Sequence, residues 1–190
     1  MSDPAAAGGA PVVGALVVGY GNPLCADDGV GPAVAEALAV DPRLAGLTGA
    51  HDPGGLDPGD AGDPGLPAVG RAWAVEIRAV HQLTPELALD ASGVELLVLV
   101  DADADRAPGV VSVRRLDHVD GGGDVMTHHV DPAGILGLAA GLWGHAPACV
   151  MVSVGAGSFE FGEGLTPAVA AAVPAAVDAV IVALREVRNA

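Results

Sequence analysis

"LVVGYGNPLCADDGVGPAVAEAL", residues 16–38, passes from an apolar run, through a Gly/Asn/Pro turn, to apolar residues at helical spacing. The segment GALVVG (14–19) is short, Val-rich and bounded by glycine, which predicts a buried strand. Val30, Val34, Ala37 and Leu38 then share one helical face. Pro32 is tolerated only in a first turn, so this helix cannot start much before Asp28. A strand leading straight into a helix is the first half of a parallel crossover, and the rest of the chain decides whether the pattern repeats.

It repeats. "AWAVEIRAV" (72–80) alternates as a strand does, and "LTPELALDA" (83–91) predicts a helix with Thr84 as N-cap, Pro85 at the first position and Glu86 in the first turn. "VELLVLVDAD" (94–103) is a continuous apolar strand ending on acids, and "GVVSVRRL" (109–116) is a strand nearer an edge. "HHVDPAGILGLAAGLWG" (128–144) holds a helix with Asp131 as N-cap, Pro132 at its start and Gly144 as its stop. "ACVMVSVG" (148–155) is again a strand. The last segment opens on a similar Thr-Pro pair and runs to Val187 as a helix with an irregularity at Pro174. Strands that read as unbroken apolar runs are covered on both faces, so the pattern predicts a single three-layer α/β domain over 14–188 with a mostly parallel twisted sheet. Residues 1–13 read as a disordered leader, and the Gly/Pro/Asp-crowded stretch 41–70 as a long loop or insertion.

Composition narrows the function. The net charge of -16 argues against nucleic acid or an anionic membrane surface as partner, since both require a basic face. All eight basic residues are arginine, so a phosphate-loop lysine, a Schiff-base lysine and a Ser–Lys pair are excluded. No uninterrupted apolar run reaches the ~18 residues of a spanning segment, and the first ten residues lack the basic region of a secretory signal. The two cysteines, Cys25 and Cys149, lie far apart in unlike contexts, which suits a reducing cytosol. These features together lead us to expect a soluble, cytoplasmic protein; a monomer is the accompanying expectation.

In a parallel sheet, ligands bind beyond the carboxyl ends of the strands. Asp28 lies in the turn after the first strand, Asp101 ends "LLVLVD", and His128 and His129 precede a later helix. Two carboxylates and an imidazole make an O/N donor set for a divalent metal. Each also has a plainer reading. Asp27 and Asp28 suit a helix start, Asp101 a loop cap, and a histidine before a helix is often structural. The turn is a poor dinucleotide fingerprint: Gly19 and Gly21 fit, but Leu24 stands where close helix packing wants the third glycine, and two acids would face a pyrophosphate. Gly19–Asn22 is instead expected to be a tight turn, stabilised locally by Asn22, that aims Asp28. Neither H-E-x-x-H nor G-x-S-x-G is present. Cys25 has no motif to support a nucleophile's role, and Cys149 falls in a predicted core strand.

Five segments in order carry a resemblance: "LVVGYGNPLCADDGVGPAVAEAL", "VHQLTPELA", "LLVLVDAD", "THHVDPAGILGLA" and "FEFGEGLTPAVAAAV". Over roughly residues 14–188 the chain resembles the hydrogenase maturation proteases, which trim a carboxy-terminal extension from the large-subunit precursor of nickel-iron hydrogenases. The resemblance implies an endopeptidase whose metal-binding and catalytic residues are Asp28, Asp101 and His128, with His129 as the alternative. Gly19, Gly21, Asn22 and Asp27 would form the supporting turn. It further implies that nickel arrives already bound to the precursor and that no organic cofactor is needed. Two departures concern substrate recognition: "RAVHQLTPEL" (78–87) replaces the family's glycine-rich D-G-G-T segment, and 41–70 is longer than usual. A non-catalytic module that binds the precursor, and a nucleotide-binding protein, are the alternatives.

Overall fold

The computed structural model describes residues 14–51, 71–116 and 130–190. The expected leader, residues 52–70 of the insertion, and the segment carrying His128 and His129 lie outside the described residues.

The described chain alternates strand and helix as its hydrophobic pattern requires. The elements are β1 (Gly14–Tyr20), α1 (Val30–Ala39), β2 (Gly49–His51), β3 (Arg71–Val80), α2 (Leu87–Ala91), β4 (Leu96–Asp103), β5 (Val111–Leu116), α3 (Pro132–Trp143), β6 (Ala148–Gly155) and α4 (Pro167–Arg188). The strands form one sheet in the order β2-β3-β1-β4-β6-β5. Its centre, β3-β1-β4-β6, is parallel, while short β2 and exposed β5 run antiparallel at the two edges. The chain leaves β1 toward β3 on one side and returns to β4 on the other, so the strand order switches at β1/β4. That is where an open α/β sheet forms its crevice.

Both sheet faces are covered, which explains the unbroken apolar runs. Along β1 and β4, Ala15, Val17, Val98 and Val100 face α1 and α4. Leu16, Val18, Leu97 and Leu99 face α2 and α3. All eight are buried, and each such Val or Leu contributes roughly 1.5–3 kcal/mol. α4 has the length and apolar composition to cross a membrane. Here it lies along the sheet instead, with Val169, Ala176, Val180, Ile181 and Leu184 buried against it. It absorbs Pro174 without ending.

Local signals are mostly obeyed. Asp131 caps α3 by accepting from the Gly134 N–H at 2.7 Å, Pro132 sits in its first turn, and Gly144 ends it at φ 73°. Three details differ from expectation. α2 begins only at Leu87, with Glu86 rather than Thr84 as its N-cap. The Thr84 and Pro85 carbonyls accept from Leu87 and Ala88 at 3.0 and 3.1 Å, closing three-residue turns where a regular helix was expected. The stretch expected to be loop also contains a 3₁₀ turn, Pro42–Leu44, and strand β2, because β3 has an open edge that three residues of backbone can pair.

Candidate active site

The turn after β1 is held by its own amides. Gly21 adopts φ 134°, and a Cβ there would lie 1.9 Å from the Asp28 carbonyl oxygen, so only glycine fits. Asn22 works locally, as expected: its Oδ1 accepts from the Leu24 N–H at 3.1 Å and its Nδ2 donates to Cys25 Sγ at 3.3 Å. The Asn22 N–H donates to Asp28 Oδ2 at 2.7 Å. Ala26 is held at φ 47°, a left-handed conformation that costs a non-glycine residue about 1 kcal/mol. Its N–H donates to the Gly162 carbonyl at 2.9 Å.

These bonds rule out a phosphate cradle. From Gly21 to Asp28 every backbone N–H is already donated: to Val80, Asp28, Asn22, Gly162, Ser158 or Cys25, with Pro23 having none to give. No amide is left for a phosphate oxygen. The close helix packing that a third glycine would supply in a dinucleotide site is met elsewhere in the sequence. Gly19 and Gly31 abut so tightly that a Cβ on Gly19 would sit 2.0 Å from the Gly31 oxygen. Both residues let α1 press onto β1.

The adjacent acids have different environments. Asp27 is 0 % exposed. Its Oδ2 accepts from the Gly157 N–H at 2.8 Å, the Ser158 N–H at 3.0 Å and the Thr166 hydroxyl at 2.9 Å. Its Oδ1 accepts from the Thr166 N–H at 2.6 Å. Burial pushes its titration upward, but these donors outweigh burial and hold the carboxyl below its ordinary value. Asp27 therefore clamps the β1 turn to the segment joining β6 and α4.

Asp28 is half-buried, and Asn22 fixes one of its oxygens. Asp101 lies near the carboxyl end of β4, the strand paired with β1, and its Oδ1 accepts from the Ala102 N–H at 2.8 Å. Burial pushes Asp101 up to about 6; the Tyr20 hydroxyl and the Ala102 amide pull downward, while the negative charges of Asp28 and Asp103 add to the rise. Because β1 and β4 are parallel neighbours, the turn carrying Asp28 and the end of β4 carrying Asp101 lie at the same end of the sheet. Tyr20, raised above its ordinary value chiefly by burial and then by Asp101, lines the same cleft. The cleft has a volume of about 380 Å³ and is also walled by Asp103, Arg106, Ser112, Arg114, Pro132 and Ser153. Asp101, Ser153 and Ser112 lie in register across β4, β6 and β5. Sequence reasoning passed over this row, although Ser153 is the one polar side chain within β6 and could have drawn attention.

Among the described residues no three His, Cys, Asp or Glu side chains gather into a metal-holding group. Asp28 and Asp101 each have one carboxylate oxygen held by a backbone N–H. Cys149 is buried in β6 with its thiol pushed up to about 12 by burial, as suits a core residue.

Fold and site together define an open α/β domain with Asp28 in the turn after β1 and Asp101 in a cleft at the same end of the sheet. No protein-family model and no curated protein matches the chain. Solved structures do. The chain is similar to the hydrogenase maturating endopeptidase HybD from E. coli, with 26% identity, 91% of this chain and 93% of that chain covered, and a TM-score of 0.57. It is similar to an endopeptidase from Escherichia coli studied in solution, with 27% identity, the same coverages of 91% and 93%, and a TM-score of 0.59. It shares its fold with a hydrogenase 2 maturation peptidase from Thaumarchaeota archaeon SCGC_AB-539-E09, at 22% identity, 90% and 97% coverage and a TM-score of 0.54. At 26% and 27% identity over nine-tenths of the chain, it is similar to these endopeptidases in sequence as well as in fold.

Proposed function

We propose that this protein is a cytoplasmic endopeptidase that removes the carboxy-terminal extension of a nickel-iron hydrogenase large-subunit precursor once nickel has been inserted. The observation that carries this reading is that Asp28, in the turn after β1, and Asp101, near the end of the neighbouring parallel strand β4, lie at one end of the sheet, each with an oxygen held by a backbone N–H. A protease role is supported by the endopeptidases of the same fold at 26% and 27% identity.

The chemistry follows from an incomplete shell. Two carboxylates, completed by His128 (His129 being the alternative), offer hard and borderline donors that suit Ni²⁺. α3, which that segment enters, starts at Pro132 in the wall of the Asp101 cleft. Nickel belongs to the substrate: a precursor that already holds it supplies the remaining ligands, so only loaded precursor engages fully. Held there, the substrate's nickel would supply Lewis-acid polarisation of the scissile carbonyl, so that water could add to the carbon and the amine leave with a proton. With burial raising it to about 6, Asp101 is also suited to take the proton of that water, a role Asp28 could share.

The deciding experiment incubates the protein with nickel-loaded and nickel-free precursor and reads the large subunit's mass. Cleavage of the loaded form alone supports the proposal. Stable association without cleavage of either form would replace it with a binding module.

A further inference from the structure

Both phenylalanines of the chain, Phe159 and Phe161, lie in the segment between β6 and α4. Neither is in the core: Phe159 is 46% exposed and Phe161 87%. Leu24, in the turn that leads to Asp28, is 43% exposed. The two segments are joined as a one-residue parallel bridge, Cys25 opposite Gly162. The Gly162 N–H donates to the Leu24 carbonyl, and the Ala26 N–H to the Gly162 carbonyl, each at 2.9 Å. This register sets Leu24 beside Phe161. The patch is therefore an apolar extension of the turn that carries Asp28.

The support beneath the patch is rigid. Asp27 takes four hydrogen bonds from Gly157, Ser158 and Thr166, which bracket the two phenylalanines. Exposed aromatic rings on a clamped loop lose little conformational entropy on binding, the usual property of anchor residues at interfaces. The charge around them has one sign. Glu160 and Glu163 are exposed between and beside the rings, and no described ion pair engages either. No basic residue occurs from 21 to 42 or from 155 to 184.

We propose that Leu24, Phe159 and Phe161 form a docking platform for the substrate polypeptide, taking an extended segment in which apolar side chains alternate with cationic ones. The apolar side chains pack on the two rings and Leu24, while the cations meet Glu160 and Glu163. The inference rests on the endopeptidase reading and adds to it the chemistry of the segment recognised beside the cut. Docking requires no metal and no bond cleavage, so it is measured separately from catalysis.

The test uses the full chain and a fluorescein-labelled twelve-residue peptide alternating leucine with arginine, read by anisotropy without nickel. A matching peptide carries glutamate for arginine. The double variant Phe159→Ser/Phe161→Ser should bind the basic peptide at least about tenfold more weakly with an unchanged melting temperature. Glu160→Gln/Glu163→Gln should weaken binding and flatten its salt dependence. Asp28→Asn should leave binding intact, so a failed cleavage assay and a failed platform give different results. Equal binding by wild type and the phenylalanine variant, or equal binding of both peptides, would overturn the proposal. So would a large fall in melting temperature for Phe159→Ser/Phe161→Ser, because rings already covered by this chain are not a platform.

Discussion

Asp27 and Asp28 are chemically identical neighbours, and isosteric substitution should separate them. Asp27→Asn places an NH₂ group where a carboxylate oxygen stood. If the amide oxygen takes the Oδ2 position, it keeps the Gly157, Ser158 and Thr166 hydroxyl donors. The NH₂ then faces the Thr166 N–H, which now lies 2.6 Å from the replaced oxygen. Donor meets donor, one bond is lost and the other three lose their charge assistance. With bonds to a charged group worth about 1.5–3 kcal/mol each, the net cost is roughly 2–4 kcal/mol. For a domain of this size that lowers the melting temperature by roughly 4–16 °C. Asp28→Asn keeps an oxygen for the Asn22 N–H, so its stability cost should stay under about 1 kcal/mol while processing of nickel-loaded precursor collapses. Asp28→Glu, which restores the charge, should retain part of the activity. Thermal unfolding by circular dichroism, paired with the processing assay, reads both effects. The Asp27 effect also has a pH signature. Because its folded-state titration lies below the unfolded value of ~3.9, its stabilisation is complete above that value and is lost as pH falls through the folded one. The gap between wild type and Asp27→Asn should therefore narrow on acidification below about pH 4. Equal melting temperatures for wild type and Asp27→Asn at pH 7, or full processing by Asp28→Asn, would refute the division of roles.

Asp101 should behave in the opposite sense. Its folded value of about 6 exceeds the unfolded one, so the folded state holds the extra proton and stability falls as pH rises between about 4 and 6. Asp101→Asn should remove that fall in a pH series of urea titrations, while processing by the wild type should climb through pH 6 as the carboxylate ionises. Gly31→Ala would bring a Cβ within 2.3 Å of the Tyr20 oxygen and 2.6 Å of the Val100 oxygen, so it should cost roughly 3 kcal/mol or more, measured by urea unfolding. Between the two histidines, His128→Ala should abolish processing and His129→Ala should leave most of it, with mass spectrometry of the precursor as the readout.

Local chemistry made most of the fold legible. Unbroken apolar runs at 14–20, 96–100 and 148–152 announce strands covered on both faces, because a one-sided sheet would show polar alternation. Asp131, Pro132 and Gly144 marked both ends of α3, since capping depends on residues within a few positions of the helix end. Where the reading slipped, at Thr84 and in the 41–51 stretch, local propensity met tertiary constraints. α2 is only five residues long and begins after tight turns, and β2 exists because the edge of β3 can accept it.

The candidate site divides the same way. That Asp28 and Asp101 fall at the same end of the sheet follows from the sequence, because both lie at or beyond the carboxyl ends of predicted parallel strands. Which acid of the pair 27–28 is structural does not follow from local sequence. The four donors that bury Asp27 come from Gly157, Ser158 and Thr166, at least 130 residues away along the chain. The same holds for Gly31, whose need to be glycine is set by the Tyr20 and Val100 carbonyls on two different strands. Sequence by itself determined which elements form and at which sheet end the acids fall, since short-range sterics, capping and the burial period dictate both. Only the tertiary structure decided which carboxylate became a buried clamp and which stayed open to a ligand. That choice belongs to distant hydrogen-bond donors, and the chain brings them to Asp27 only when the sheet has closed around β1 and β6.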